Sequence, residues 1–119
     1  PLSGSRILMI GLAYKKNVDD TRESPALRLI EILESEGATV DYHDPFVPEI
    51  PQTRDHAALA GRKSIAWQPT AFDKYAAALI CTDHDKVDYA ALIDAVPLVV
   101  DTRNATQHVA TGRDKIVKA

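Results

Sequence analysis

The sequence predicts an α/β protein: a doubly wound, Rossmann-like, mostly parallel sheet of about five strands, with helices on both faces. Three observations lead there. Arg6-Ile7-Leu8-Met9-Ile10-Gly11 is a nearly continuous apolar run, as are residues 76–81 and 95–100. A strand covered on both faces reads this way, whereas a half-solvated strand alternates. Apolar runs of strand length alternate with helical spacings, the signature of βαβ units. Finally, 119 residues with 45% hydrophobic and 26% charged side chains suit one core, so residues 1–119 are read as a single domain.

Each element follows from local pattern. After the first strand, residues 12–23 are polar and charged, with neither period. Ser24-Pro25 then marks a helix start, since Ser caps free amides and Pro is tolerated in the first turn. Ala26, Leu27, Ile30 and Leu33 recur at helical spacing, and Arg28, Glu31, Glu34 and Ser35 fall on the other side. Gly37 stops this helix, and residues 39–42 read as a second strand. Such a strand–helix–strand unit winds right-handed into a parallel pair. Pro45, Pro48 and Pro51 lack the N–H that ladders and helices need, so a surface loop follows, with a short helix over 54–60. Residues 63–67 read as a weak strand, 69–75 as a short helix or turn, and 76–82 as a strong strand. A helix over 86–95 is expected, with Asp83 or Asp85 near its start. Residues 97–102 form the last strong strand, and 103–119 show no clear structure.

Composition narrows the function classes. A net charge of −3 and a pI of about 5.7 exclude a broad electrostatic grip on nucleic acid. The single Cys81 leaves no internal disulfide and no cysteine-based zinc site, which suits a reducing cytoplasm. No stretch reaches the roughly 18–20 apolar residues that span a bilayer. The N-terminus has no signal-peptide pattern, and because it does not start with Met the chain reads as a processed or excised piece.

In this architecture ligands sit beyond the carboxyl ends of the strands, here residues 11–23, 43–45, 82–85 and 101–104. The first of these loops is longer than usual for a strand–helix connection. It carries Lys15, Lys16 and Arg22, followed by the helix amides, and is compensated by Asp19, Asp20 and Glu23. It is either an anion site selective for phosphate or a solvated loop whose charges pair internally. A dinucleotide fingerprint would need Gly-x-Gly-x-x-Gly, but Gly11 is followed by Leu12, Ala13 and Tyr14, and the next glycine is Gly37. A standalone NAD-binding Rossmann site is therefore rejected. Arg103, past the last strong strand, either forms paired bonds to a phosphate or a salt bridge to Asp101 or Asp83.

Other candidates have plain readings. Cys81, inside an apolar strand, reads as a small hydrophobe rather than half of a Cys81–His84 nucleophilic pair. Asp83-His84-Asp85 offers metal-ligand types, yet aspartates before a helix are commonly caps. His43-Asp44 closes a turn with Pro45. Trp67 and Tyr75 read as packing residues.

Residues 11–25, GLAYKKNVDDTRESP, with YHDP at 42–45, LICTDHD at 79–85 and VVDTRN at 99–104, resemble the C-terminal nucleotide-binding domain of the UDP-glucose/GDP-mannose dehydrogenase family. YKKNVDDTRESP and VPEIPQTR look most like its UDP-N-acetylglucosamine 6-dehydrogenase branch. The resemblance implies a role in polysaccharide biosynthesis and part of an NAD-dependent enzyme that oxidises the C6 alcohol of a UDP-sugar to a carboxylate with two NAD⁺. It also implies a homodimer or higher oligomer of the longer enzyme, with NAD held mainly by an N-terminal domain and the catalytic cysteine in a Gly-rich loop. Neither of these matches this chain, Cys81 included, so no residue here is assigned a catalytic role. By the same resemblance Tyr14, Lys15 and Arg103 match substrate-contacting positions, and Arg22 matches an arginine that reaches the cofactor. Thr102 stands where the family often has glycine. Two alternatives of other classes are a non-enzymatic nucleotide-binding or regulatory module, and a response-regulator-like domain using Asp44 or Asp83. The cationic first loop argues against the latter.

Overall fold

The computed structural model describes residues 3–13, 17 and 25–118. Five strands form one sheet: β1 (Arg6–Ile10), β2 (Thr39–His43), β3 (Ala77–Ile80), β4 (Val99–Asp101) and β5 (Ile116–Lys118), in the order β2-β1-β3-β4-β5. Every neighbouring pair is parallel, from Arg6↔Thr39 at one edge to Asp101↔Lys118 at the other. The expected doubly wound sheet is present and fully parallel.

The unbroken apolarity of β1 has a direct cause. Ile7 and Met9 pack with helix α1 (Ala26–Ser35), while Leu8 and Ile10 pack with Phe72, Tyr75 and helix α2 (Tyr89–Ala95). Both faces are dry from Ile7 to Ile10, so these four positions are apolar, and only Arg6 at the strand's start reaches solvent. α1 buries Ala26, Leu27 and Ile30, matching the helical spacing. It closes with Gly37 N–H donating to the Glu34 carbonyl and Ala38 N–H to that of Leu33. Ser24, the expected cap, lies outside the described residues.

Three expectations need correction. Residues 63–67 are not a strand: Lys63 makes one antiparallel bridge to Glu49. The segment that would partner it contains Pro48 and Pro51, which have no N–H to carry a ladder onward. This loop instead anchors on the β2 side. Ile65 N–H donates to the Tyr42 carbonyl, and Arg62 grips Glu34 of α1 with two bonds of 2.7 and 2.9 Å. Second, α2 begins at Tyr89 rather than 86, and Asp88 caps it by accepting from Ala91 N–H at 3.1 Å. Third, the tail is structured. A 3-10 turn at Arg113–Lys115 leads into β5, which adds to β4. Arg113 donates to the Thr106 and Val109 carbonyls, and Lys115 Nζ to the Ile93 carbonyl in α2. The short helix expected over 54–60 is a 3-10 turn at Ala57–Leu59, and the short helix or turn expected over 69–75 is a 3-10 turn at Pro69–Lys74.

The connections leaving β1 and β3 run to opposite sides, so their carboxyl ends flank the crevice where such sheets take ligands. No helix among the described residues is long and apolar enough to cross a membrane.

Candidate functional site

The site begins at Gly11, where β1 ends. Its φ is +87°, and a Cβ there would lie 2.5 Å from Thr82 Cβ, 2.8 Å from Thr82 O and 2.9 Å from Thr82 N. Only a residue without a side chain lets the β1 turn pass this close to the exit of β3. The contact is then fastened: Thr82 Oγ1 donates to the Ala13 carbonyl at 2.7 Å.

Asp44, just past β2, organises the same turn. Its Oδ2 accepts from Leu12 N–H at 2.7 Å and Ala13 N–H at 3.2 Å, and its Oδ1 accepts from Phe46 N–H at 2.7 Å. The Phe46 bond is the turn expected from His43-Asp44-Pro45. The bonds to residues 12 and 13 reach far beyond a local turn. Burial pushes the Asp44 carboxyl up, but hydrogen bonds from His84 and from the Leu12 and Phe46 amides outweigh it, leaving its pKa below the ordinary carboxylate value.

His84 completes the arrangement. It is fully buried, with Nε2 2.9 Å from Asp44 Oδ2 and Nδ1 accepting from Asn17 N–H at 2.7 Å. A backbone N–H only donates, so Nδ1 carries the lone pair and Nε2 the proton it gives to Asp44. Asn17 stands in the left-handed region, φ 61°. Its side chain donates to Asp85 Oδ2 at 2.8 Å and accepts from Asp85 N–H at 3.0 Å. The Asp83-His84-Asp85 triplet is thus neither a helix cap nor a metal-type cluster: His84 has both ring nitrogens in hydrogen bonds, and Asp85 is engaged with Asn17. Among the described residues no buried side-chain nitrogen or oxygen lacks a partner.

Beyond β4, Asp101 shapes a second turn. Its Oδ1 accepts from the N–H groups of Arg103 and Ala105, both at 3.0 Å. Its Oδ2 accepts from Thr106 N–H at 2.9 Å and Thr106 Oγ1 at 2.7 Å. Thr102 Oγ1 donates back to the Ile80 carbonyl at 2.6 Å. The Arg103 side chain is thereby aimed across β3, where Nε donates to the Cys81 carbonyl at 2.9 Å. Asp101 has spent its oxygens on this turn. Among the described residues Arg103 forms a salt bridge with neither Asp101 nor Asp83, and its two terminal nitrogens have no partner. A guanidinium held at Nε still offers a two-pronged edge to an anion.

Of the residues singled out by sequence, Arg103 sits at the mouth formed by the β1, β3 and β4 ends. Tyr14, Lys15 and Arg22 lie outside the described residues. Cys81 is buried, and burial pushes its thiol up to about 12, so it is a poor nucleophile. His84 faces Asp44 and Asn17 instead of pairing with it. Tyr75 packs as expected and also donates to Asp41 at 2.7 Å. Sequence reasoning missed the roles of Asp44, Thr82, His84 and Asn17, which are spread over three loops. The only signal was that all four sit at carboxyl ends.

The β1 turn does not fit a dinucleotide. The Leu12 and Ala13 amides that would face a pyrophosphate donate to Asp44 instead, and both residues are buried.

The family model described as "UDP-glucose/GDP-mannose dehydrogenase family, UDP binding domain" matches residues 8–108. A UDP-glucose 6-dehydrogenase of Rhizobium meliloti is 33% identical over 114 residues, covering 87% of this chain and 24% of its own length. A UDP-N-acetyl-D-mannosamine dehydrogenase of Methanococcus maripaludis is 32% identical over 113 residues, covering 87% and 23%. Among solved structures, a UDP-D-ManNAc dehydrogenase of Pyrococcus horikoshii superposes with a TM-score of 0.68 at 26% identity, over 98% of this chain and 25% of that one. A UDP-glucose dehydrogenase of Pyrobaculum islandicum gives 0.66 at 26% identity, over 98% and 25%. The chain therefore spans about a quarter of the length of these relatives. Since the family model covers most of its residues, from β1 to the turn after β4, the chain belongs to the UDP-glucose/GDP-mannose dehydrogenase family, in its UDP-binding domain.

Proposed function

We propose that residues 1–119 are the C-terminal, UDP-sugar-binding domain of an NAD-dependent UDP-sugar 6-dehydrogenase. Tyr14, Lys15 and Arg103 hold the substrate, and Arg22 reaches the cofactor. The observation that carries this reading is Arg103: tied through Nε to the end of β3, against which the β1 turn is fastened at Thr82, it keeps two donors free of partners among the described residues. Family membership supplies the ligand class. Binding the nucleotide remote from C6 holds the reacting carbon in line for hydride transfer.

The reaction proposed for the longer enzyme takes the C6 alcohol to a carboxylate. Two hydrides pass to two NAD⁺, and water supplies the second oxygen. The dinucleotide is held mainly by another domain, consistent with the Asp44-filled turn described above. The enzyme is a cytoplasmic homodimer or higher oligomer serving polysaccharide biosynthesis. The likeness of residues 14–25 and 47–54 to the UDP-N-acetylglucosamine branch makes that sugar nucleotide the first substrate to try.

Isothermal calorimetry of the chain with UDP tests the reading. Uptake that weakens about tenfold or more in Lys15→Ala and in Arg103→Ala is expected, the loss of a charge-assisted bond to phosphate. Unchanged affinity in both variants removes them from the site. The chain alone is expected to produce no NADH from a UDP-sugar. Turnover would overturn the assignment of the catalytic machinery to the rest of the enzyme.

A further inference from the structure

We propose that His84 is a positioning residue for nucleotide binding, acting through Asn17 to fix the segment of the first loop that carries Tyr14 and Lys15. This rests on the reading above that those two residues contact the nucleotide.

Residues 11–17 leave the sheet at Gly11 and are fastened at two places. On the near side, Ala13 gives its N–H to Asp44 and takes a hydrogen bond from Thr82 Oγ1. On the far side, Asn17 gives its N–H to His84 Nδ1 and exchanges two bonds with Asp85. Only residues 14–16 lie between them. The two fastenings share one unit, because the carboxylate that holds Leu12 and Ala13 also accepts a hydrogen bond from His84 Nε2–H. A fully buried imidazole therefore ties Asn17 to the turn at Leu12 and Ala13.

The chemistry at each atom leaves little freedom. Asn17 adopts φ 61°, a conformation that costs a non-glycine residue free energy and persists where its surroundings over-determine it. Three hydrogen bonds, one to His84 and two to Asp85, do so here. The Phe46 ring, 4.9 Å from the His84 ring, packs against the imidazole. A segment held on both sides of its contact residues has less conformational freedom to lose on binding, which raises affinity without adding a contact. A purely structural histidine would stabilise the fold and leave affinity alone.

Two amide replacements separate these roles. In His84→Gln the side-chain amine reaches the place of Nε2 and still donates to Asp44, but no acceptor stands where Nδ1 was. In His84→Asn a carbonyl oxygen takes the place of Nδ1 and the donor to Asp44 is lost. On the proposal, calorimetry with UDP shows about a tenfold loss of affinity in His84→Gln, most of it recovered in His84→Asn. Thermal unfolding ranks the two in the opposite order. Wild-type affinity in His84→Gln, alongside the expected loss in Lys15→Ala, overturns the positioning role and leaves the site reading intact. Absence of UDP uptake by the wild-type chain overturns both. A nitrogen-15 NMR titration of the wild-type chain needs no variant. UDP is expected to shift the Asn17 amide and the His84 Nδ1 signals along the same saturation curve as calorimetry. Signals unmoved at saturation overturn the coupling.

Discussion

Replacing Gly11 with alanine is expected to destabilise the chain by about 2–5 kcal/mol, built from two separable costs. A left-handed φ in a residue with a Cβ costs roughly 1–2 kcal/mol. The new methyl would also stand 2.5–2.9 Å from Thr82, and two of the three atoms it meets are backbone. No rotamer change relieves that contact, so the exit of β3 must retreat, an overpacking cost of about 1–3 kcal/mol. Gly61→Ala is the control. Its φ of +89° is similar, but nothing lies within 4 Å of the position of a Cβ. The entropic gain of glycine-to-alanine substitution in the unfolded chain is common to both and cancels in the difference. Urea unfolding followed by circular dichroism reads the contrast. With a slope of about 1–3 kcal/mol per molar urea, a 2 kcal/mol difference separates the midpoints by about 1 M. Equal midpoints would mean the β1 turn has room beside Thr82, and would refute the argument that glycine is required there by close approach.

Two further outcomes follow from the carboxylates and the thiol. Burial pushes Asp101 up, but bonds from Thr106, Ala105 and Arg103 outweigh it, so its pKa, like that of Asp44, lies below the ordinary carboxylate value. Each group binds its proton less readily folded than unfolded. The stability they contribute is therefore complete above the ordinary carboxylate value and is lost as pH falls through the lowered ones. Asp101→Asn is expected to cost about 1–3 kcal/mol at neutral pH and to flatten the acid limb of the urea midpoint against pH; a limb of unchanged steepness counts against this account. Cys81, with its thiol pushed up to about 12 and buried, is expected to resist a thiol-specific disulfide reagent in the native chain and to react fully in urea. Rapid native labelling would contradict the burial.

The loops show where sequence reasoning stops. The place of β1 and the stop at Gly37 were legible because each depends on neighbours along the chain. The expected strand at 63–67 failed for a reason partly visible in advance, since its partner segment holds Pro48 and Pro51. The β5 strand was not legible: Ile116 is half-buried and Val117 is 51% exposed, so no apolar run announces it. Its place comes from the β4 edge and from Arg113 and Lys115 donating to carbonyls of the preceding segment and α2. Arg103 was singled out correctly as a residue at a strand end, yet whether it bridged to an aspartate was open until Asp101 was seen spent on its own turn.

By itself, the sequence determined the parallel α/β character, the central place of β1 in the core and the kinship of its loops, because periodicity and turn residues report which side chains are dry and where the backbone must bend. Only the tertiary structure decided that Asp44 fills the β1 turn, that His84 links Asp44 to Asn17, and that Arg103 leans on the end of β3. Those bonds join residues 22 to 67 positions apart. Their formation depends on strand order and on where each loop leaves the sheet, which no local pattern along the chain encodes.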